Sequence, residues 1–358
     1  MKQLTIAGLL LVGGLALSVS ACRKDKTDEP EEAYQPTPYQ FNVPAGFPQP
    51  RYFQSNPLTV EGVRLGRMLF YDPILSSNGK SCSSCHPQDE AFARSIHVNP
   101  AGESVSIPPV INLTFNPDFE WYGQEPVMEH VPLADFGPEF FNSNMDTIRA
   151  RLSGHALYPR YVYEALGISD LYAVGDEELK HQLARSIIQF IRTIVSSNSK
   201  YDRVMRHQEV FTPEESDGSN IFFTERGDCF HCHGTALLTN NLFHNNGMDT
   251  VFVGQNLGRF LYTGDSSDIG KFSAPTLRNI ELTPPYMHDG RFSTLEEVVE
   301  FYNSGVHWNS LNIDPIMTKP FKEYGLQLTA QEKADLVAFL KTFTDTSVLT
   351  NPDFANPF

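Results

Sequence analysis

The sequence predicts a mainly α-helical protein of two domains joined by long connecting loops, and three observations support this. The chain has 358 residues, more than one hydrophobic core usually needs, so two domains are the default expectation. Apolar residues recur at helical spacing, whereas the Pro-, Gly- and Asn-rich stretches 99–118 and 239–292 show little strand alternation. One short cysteine and histidine motif occurs once in each half of the chain.

The first 22 residues predict an export signal. Lys2 opens a short positive segment, residues 4–17 are apolar, and small residues precede Cys22 in "VSAC". This pattern resembles a bacterial lipobox, which predicts a lipidated Cys22; a plain cleaved signal that contains a cysteine is the alternative. Residues 23–50 predict an acidic, Pro-rich tether. We therefore expect an extracytoplasmic lipoprotein, periplasmic or in the outer membrane, that contacts the membrane only through lipid.

Composition excludes two further classes of protein. The chain carries 43 acidic and 27 basic residues, a net charge of −16, which disfavours a phosphate-binding surface and therefore a nucleic-acid partner. After the signal, no segment reaches the roughly 18 consecutive apolar residues that a membrane-spanning helix needs.

The N-terminal half predicts two amphipathic helices. One covers residues 58–70 and stops at an Asp-Pro break; the other covers residues 180–195 and leads to a domain junction near residue 205. We expect the first domain to cover residues 51–205. The residues expected to face its core are Val63, Leu65, Met68, Leu69, Leu183, Ile187, Ile191 and Ile194.

The C-terminal half predicts two more helices, each opened by a capping box. One covers residues 293–303 and opens with the box Ser293–Glu296; the other covers residues 329–343 and opens with Thr329–Glu332. We expect the second domain to cover residues 206–358. The apolar face of the third helix consists of Leu295, Val298, Val299 and Tyr302.

Two Cys-x-x-Cys-His motifs, "CSSCH" at 82–86 and "CFHCH" at 229–233, predict covalent haem. A bare Cys-x-x-Cys pair also fits a disulfide or a redox dithiol, and clustered Cys and His also fit zinc. None of these readings explains why a histidine directly follows both Cys-x-x-Cys pairs. Thioether links to haem need two cysteines one helical turn apart, and the next imidazole then faces the iron. We expect two cytochrome c-like domains, with haem on Cys82, Cys85, Cys229 and Cys232 and iron bound by His86 and His233.

Longer stretches resemble the bacterial dihaem cytochrome c peroxidase family, including its MauG-type branch. They are "LGRMLFYDPILSSNGKSCSSCH", "ARSIIQFIRTIVSSNSKYDRV", "APTLRNIELTPPYMHDGRFSTLEEVVEFYNSG" and "LTAQEKADLVAFLKTF", within residues 60–345. The resemblance implies an exported dihaem c-type peroxidase that reduces hydrogen peroxide to water. Electrons from a small donor protein such as a cytochrome c would enter at the C-terminal haem and be used at the N-terminal haem.

Two other functions stay open. One is a MauG-type dihaem oxidase that modifies a partner protein through high-valent haem iron, and the other is a non-enzymatic dihaem electron carrier. A homodimer is also left open.

Peroxide cleavage takes two electrons, while single-electron donors deliver them one at a time. The second haem of the family is therefore implied to store or relay the extra oxidising equivalent.

The resemblance also implies roles for residues near the first haem. Glu139, in "GPEFF", falls where the family places a distal glutamate, and a carboxylate there can take up and return the protons of peroxide. Trp121 falls where the family keeps a tryptophan between the haems. The glutamine expected before the distal glutamate is missing, with Glu129 or His130 nearby. His97 lies about one residue from where ordinary peroxidases carry a removable distal histidine.

Tyr302 falls at the position of the second haem's sixth ligand, where methionine marks ordinary peroxidases and tyrosine marks the MauG-type branch. Met317 is the second candidate for that ligand and Met287 the third. Phenolate ligation implies a low-potential second haem, because a thioether instead favours ferrous iron.

The family's interdomain calcium site is the last open point. Thr283 and Pro285 match residues whose carbonyls bind the ion, while Ser106 stands in place of an asparagine ligand. Tyr122 and Gln124 replace a charged pair of the family nearby, in "WYGQ". Calcium is therefore left as an open expectation.

Overall fold

Helices and short turns surround two hydrophobic clusters in the computed structural model, as the predicted mainly α-helical fold requires. In the part of the chain that the structure describes, β1 (His97–Val98) pairs with β2 (Ser104–Val105) and β3 (Phe243–His244) pairs with β4 (Phe272–Ser273), both antiparallel. The helices are α1 (Val60–Tyr71), α2 (Val131–Asp135), α3 (Met145–Gly154), α4 (Tyr158–Leu166), α5 (Asp176–Ile191), α6 (Lys200–Met205), α7 (Pro213–Phe222), α8 (Phe230–His233), α9 (Phe260–Thr263), α10 (Leu295–Glu300), α11 (Ala330–Lys341) and α12 (Ser347–Thr350).

The structure describes Met1 and residues 34–51, 54, 56–93, 96–319 and 325–358. The predicted signal, its lipidated Cys22 and the first part of the tether lie outside these residues and stay predictions. Among the described residues, no helix has the length and apolar character needed to cross a bilayer.

Helices α1 and α5 form the centre of the N-terminal cluster. The predicted helix 58–70 is confirmed as α1, with Thr59 as its N-cap. The two helices approach so closely that a Cβ atom at Gly66 would collide with the Ser186 carbonyl oxygen. Helix α5 ends at Ile191, so the prediction of helix to residue 195 was wrong, although Ile194 remains fully buried. The chain leaves the helix while its apolar side chains stay in the core.

Helices α7 and α11 form the centre of the C-terminal cluster, where Phe222 and Phe339 pack edge to face at 5.4 Å. The predicted capping box Thr329–Glu332 is confirmed at the start of α11. The predicted box Ser293–Glu296 was wrong by one residue, because Thr294 and Glu297 form the box that opens α10. The helix predicted for residues 293–303 ends in a π-helical turn, Phe301–Gly305, which carries Tyr302.

The C-terminal end of the chain packs on the N-terminal cluster. Val348 and Phe354 are buried there, and the Gln88 side chain donates to the Val348 carbonyl oxygen at 2.9 Å. The domain boundary near residue 205 stays a prediction, and residues 34–358 form one compact unit. Both motifs therefore sit on a single scaffold.

Candidate haem-binding sites

The first motif begins in a short 3-10 turn, Cys82–Ser84, which follows α1 in the chain. The His86 ring is oriented by its backbone surroundings, since its Nδ1–H donates to the Phe92 carbonyl oxygen at 2.9 Å. This bond leaves Nε2 as the lone-pair nitrogen that can bind a metal. Desolvation lowers the pKa of His86, which keeps the ring neutral. The site therefore offers a metal ligand of fixed direction beside two cysteines.

The second motif repeats this arrangement on α8. His233 Nδ1–H donates to the Leu238 carbonyl oxygen at 2.9 Å, and desolvation lowers the pKa of His233 to about 4. His231, between the two cysteines, instead lies 3.1 Å from Asp228 and 2.9 Å from Lys319 Nζ. These contacts hold His231 in a charged surface cluster, apart from the arrangement that His86 and His233 share.

A cavity of about 270 Å³ lies against the second motif, and we call it the second cavity after that motif. Cys229, Cys232 and His233 form part of its wall, and the opposite walls are largely apolar. The other lining residues include Leu277, Leu295, Val299, Tyr302, Met317, Leu336 and Leu340. The four motif cysteines are thiols rather than disulfides. A neutral imidazole, two adjacent thiols and apolar walls fit a covalently held haem, because the macrocycle is flat and apolar.

All three candidate sixth ligands reach this second cavity. Tyr302, Met287 and Met317 line it together with His233. Burial raises the pKa of the Tyr302 phenol to about 12, and Asn246 Nδ2 donates to its hydroxyl oxygen at 3.1 Å. The cavity therefore contains tyrosine and methionine alternatives on one scaffold.

Glu139 and His97 are paired beside the first motif. His97 Nε2 lies 2.8 Å from Glu139 Oε1, so the structure brings together two residues that the sequence analysis treated separately. Asn78, just before the motif, donates to the Phe140 carbonyl oxygen at 2.5 Å, which fixes the Glu139 loop there. The Glu139 side chain is 36% exposed.

The two alternatives to Glu139 have other partners. Glu129 is buried and forms an ion pair with the fully buried Arg192. Arg192 also donates to the Asn56 carbonyl oxygen at 2.7 Å. His130 lies 3.5 Å from Glu125 and is nearly half exposed. These contacts make Glu129 part of the core.

Asp135 is a candidate that the sequence analysis missed. Desolvation, reinforced by the negative charge of Glu120, raises the pKa of Asp135 to about 7. The charge of Asp135 in turn contributes to the raised pKa of the Cys82 thiol, after burial itself. Asp135 therefore places a second acid near the first motif. Nothing in the sequence marks it, because its environment depends on how α2 packs.

Trp121 lines the second cavity and is held by backbone contacts. Its Nε1–H donates to the Ser106 carbonyl oxygen at 2.7 Å. His288 packs edge-on to the indole at 6.5 Å and stacks on Phe272 at 3.7 Å. The indole thus belongs to a fixed aromatic group at the second cavity.

The residues considered for calcium also meet near this point. The Ser106 hydroxyl donates to the Pro285 carbonyl oxygen at 3.4 Å, and the Ser106 N–H donates to the His288 carbonyl oxygen at 2.8 Å. The Thr283 hydroxyl turns to the Ile280 carbonyl oxygen at 3.5 Å. The protein itself therefore supplies a donor to one of the two carbonyls expected to bind calcium.

Comparison with known proteins places these sites in context. Residues 60–210 match the family described as di-haem cytochrome c peroxidase. The methylamine utilization protein MauG of Methylorubrum extorquens is 30% identical, with 94% of this chain and 93% of the relative covered. The cytochrome c551 peroxidase of Nitrosomonas europaea is 28% identical, with 84% of each covered. The crystal structure of a MauG-like protein associated with microbial copper homeostasis is 33% identical, with a TM-score of 0.78 over 89% of this chain and 99% of that one.

Proposed function

The chain belongs to the di-haem cytochrome c peroxidase and MauG family, and from that premise we propose that it is an exported peroxidase with two c-type haems. It reduces hydrogen peroxide to water with electrons from a small redox protein. One observation carries the proposal: the Glu139–His97 pair beside the first motif, at 2.8 Å, provides acid–base groups that a simple electron carrier does not need.

The first site divides the work between haem and protein. Haem held there by Cys82 and Cys85 would supply the redox chemistry that peroxide reduction needs. Glu139 takes a proton from the bound peroxide oxygen and returns it to the departing oxygen, while His97 orients the carboxylate. Two electrons and two protons convert one peroxide into two waters. His86, whose Nδ1–H donates to the Phe92 carbonyl oxygen, would offer its Nε2 to the iron.

The second site receives electrons, one at a time, from the donor protein. His233 and the cavity around it hold the haem, and Trp121 at the cavity wall relays electrons toward the first site. The fixed indole supports this role, because its hydrogen bond to Ser106 and its contact with His288 keep the position and orientation of the ring constant.

A second candidate function is favoured by one observation, the buried phenol of Tyr302 in the second cavity. A tyrosine ligand supports a MauG-type oxidase that modifies a partner protein, and relatives named MauG are among the proteins that match this chain. A calcium ion on the Thr283 and Pro285 carbonyls is a further proposal, tested by the effect of a chelator on peroxide turnover.

The proposed location rests on the signal and lipobox of the sequence. Cys22→Ser should either release the protein into the soluble fraction or block processing of the signal. Membrane association that is unchanged in this variant would contradict a lipid anchor at Cys22.

Spectra of the purified holoprotein test the function. Mass spectrometry should first find two haems per chain. Addition of peroxide, before and after one-electron reduction, should then change the spectrum of a five-coordinate first haem, and a reduced donor protein should be oxidised in turn. Two six-coordinate haems that do not react with peroxide would instead indicate an electron carrier. Modification of a partner protein without turnover of a donor would indicate the oxidase.

A further inference from the structure

One amide side chain contacts two of the three candidate sixth ligands at the second site. Asn246 Nδ2 lies 3.1 Å from the Tyr302 hydroxyl oxygen and 3.8 Å from Met287 Sδ. All three residues line the cavity that also contains His233. We propose that Asn246 is a positioning residue that selects Tyr302 over Met287 as the second haem's sixth ligand. The inference rests on the proposed function, since it requires haem at the second motif.

The backbone on both sides of Asn246 is held by buried hydrogen bonds. The Asn245 side chain donates to the Leu311 carbonyl oxygen at 2.7 Å and accepts the Gly247 N–H at 2.9 Å. His244 is 2.6 Å from Asp314. These contacts fix the loop that carries Asn246, so its amide points in one direction before haem arrives.

Gly247 makes this close packing feasible. Its φ of +77° lies in the left-handed region, which residues other than glycine adopt at a cost. A Cβ atom there would lie 2.8 Å from a Val306 methyl group. Asn246 is therefore held in place by a turn that needs glycine next to it.

The amide affects the two ligands differently. An N–H donor engages one lone pair of the Tyr302 oxygen and leaves the other for the iron, and it strengthens its bond when the oxygen becomes anionic. A thioether sulfur is a weak acceptor, so the same N–H group holds Met287 Sδ on the wall without activating it. The Asn246 amide therefore favours the Tyr302 oxygen over the Met287 sulfur as the ligand of the iron.

The backbone at Met287 supports this restraint. Its φ of +72° lies in the left-handed region, which is unfavourable for a residue other than glycine. The Gly290 N–H donates to the Met287 carbonyl oxygen at 3.2 Å, and the Tyr286 N–H donates to Phe292 at 2.7 Å. These bonds hold the strained turn, so Met287 does not swing freely toward the iron.

The test uses the oxidised holoprotein and two variants. Asn246→Leu removes the donor at similar volume, and Asn246→Asp keeps the shape but replaces the N–H donor with an acceptor. Both should lose the phenolate-to-iron band of the second haem, and Asn246→Leu should gain a methionine-to-iron band with a higher reduction potential. Met287→Leu, added to Asn246→Leu, should remove that methionine band. Asn220→Leu, the same change at an exposed position on α7 that does not line the cavity, is the control and should keep the parent spectrum.

Separate measurements distinguish failure of this inference from failure of the proposed function. Haem content and peroxide turnover of the parent protein test the proposed function without any change at Asn246. If Tyr302→Phe alters the second haem's spectrum while Asn246→Leu and Asn246→Asp both retain the parent spectrum and potential, the selection by Asn246 is wrong. The same holds if Tyr302→Phe leaves the spectrum unchanged, because there is then no tyrosine ligand to select.

Discussion

At the scale of single residues, the two histidines expected to bind iron share one arrangement. The ring Nδ1 of His86 and of His233 donates to a backbone carbonyl oxygen five or six residues later, and desolvation lowers the pKa of both. The sequence motif predicts these ligands because their spacing is local. The carbonyl partners at Phe92 and Leu238 could not be predicted, since they depend on the turn that follows each motif.

Glu139→Gln tests the acid–base group at the first site. The change keeps the size of the side chain but removes its proton-accepting charge, so peroxide turnover should fall about 10²–10⁴-fold while haem content stays the same. Turnover with a reduced donor protein is the measurement. Glu177→Gln, at an exposed position on α5, should leave the rate unchanged. Full activity in Glu139→Gln would move the role to another acid, with Asp135 the first to test.

Asp135→Asn tests the acid that sequence analysis missed. Desolvation, with the charge of Glu120, raises the folded-state pKa of Asp135 to about 7 from its ordinary value of 3.8. The folded protein therefore binds this proton more tightly than the unfolded chain, and stability should fall as the pH rises from about 4 to 7. Asp135→Asn should flatten that slope in denaturant unfolding of the holoprotein. An unchanged slope would mean that Asp135 ionises normally.

At the scale of elements, local signals predicted helix starts better than helix ends. Thr329 and Glu332 were predicted as a capping box because both partners lie within one turn. The segment "STLEE" offers two overlapping boxes, and the one at Thr294 forms. The π-helical turn at Tyr302 could not be predicted, because its Asn303 is fixed by residues far along the chain. The Leu328 N–H donates to its side-chain oxygen at 2.7 Å.

Gly66→Ala tests the crossing of α1 and α5. The added methyl group collides with the Ser186 carbonyl oxygen, which is backbone and cannot rotate away. Overpacking of this kind costs about 1–3 kcal/mol of unfolding free energy, which denaturant titration would measure. Gly154→Ala, at the end of α3 with no atom within 4 Å of the added carbon, is the matched control. Equal stability of the two variants would contradict this close approach.

At the scale of the whole molecule, buried ion pairs connect residues that are distant in sequence. Arg278 makes two hydrogen bonds of 2.9 Å with Asp202, and its guanidinium lies 4.5 Å from the Phe47 ring centroid. Asp345 accepts hydrogen bonds from the N–H groups of Ser197 and Asn198 at 3.1 and 2.9 Å. The predicted domains were read from motifs and helices, but sequence spacing carries no signal for these long-range pairings.

Asp202→Asn tests how much the ion pair between Arg278 and Asp202 stabilises the folded protein. Burial alone would raise the pKa of Asp202, but hydrogen bonds from Arg278 and Ser199 outweigh it, so the folded-state pKa lies below the ordinary 3.8. The carboxylate's contribution is therefore present above about pH 4 and is lost as the pH falls through the folded-state pKa. At pH 7 the variant leaves a buried guanidinium without its counter-charge, which costs about 3–5 kcal/mol.

Denaturant unfolding of the holoprotein at neutral pH and near pH 3 would measure this effect. The stability gap between parent and Asp202→Asn should narrow in acid, because below about pH 4 the unfolded parent takes up a proton at Asp202 more readily than the folded parent does. Glu209→Gln is the control: its ion pair with Arg203 is more than a third exposed on both sides, so the change should cost no more than about 1 kcal/mol. A gap for Asp202→Asn that stays constant with pH would show that shape and hydrogen bonding, rather than charge, hold Arg278 in place.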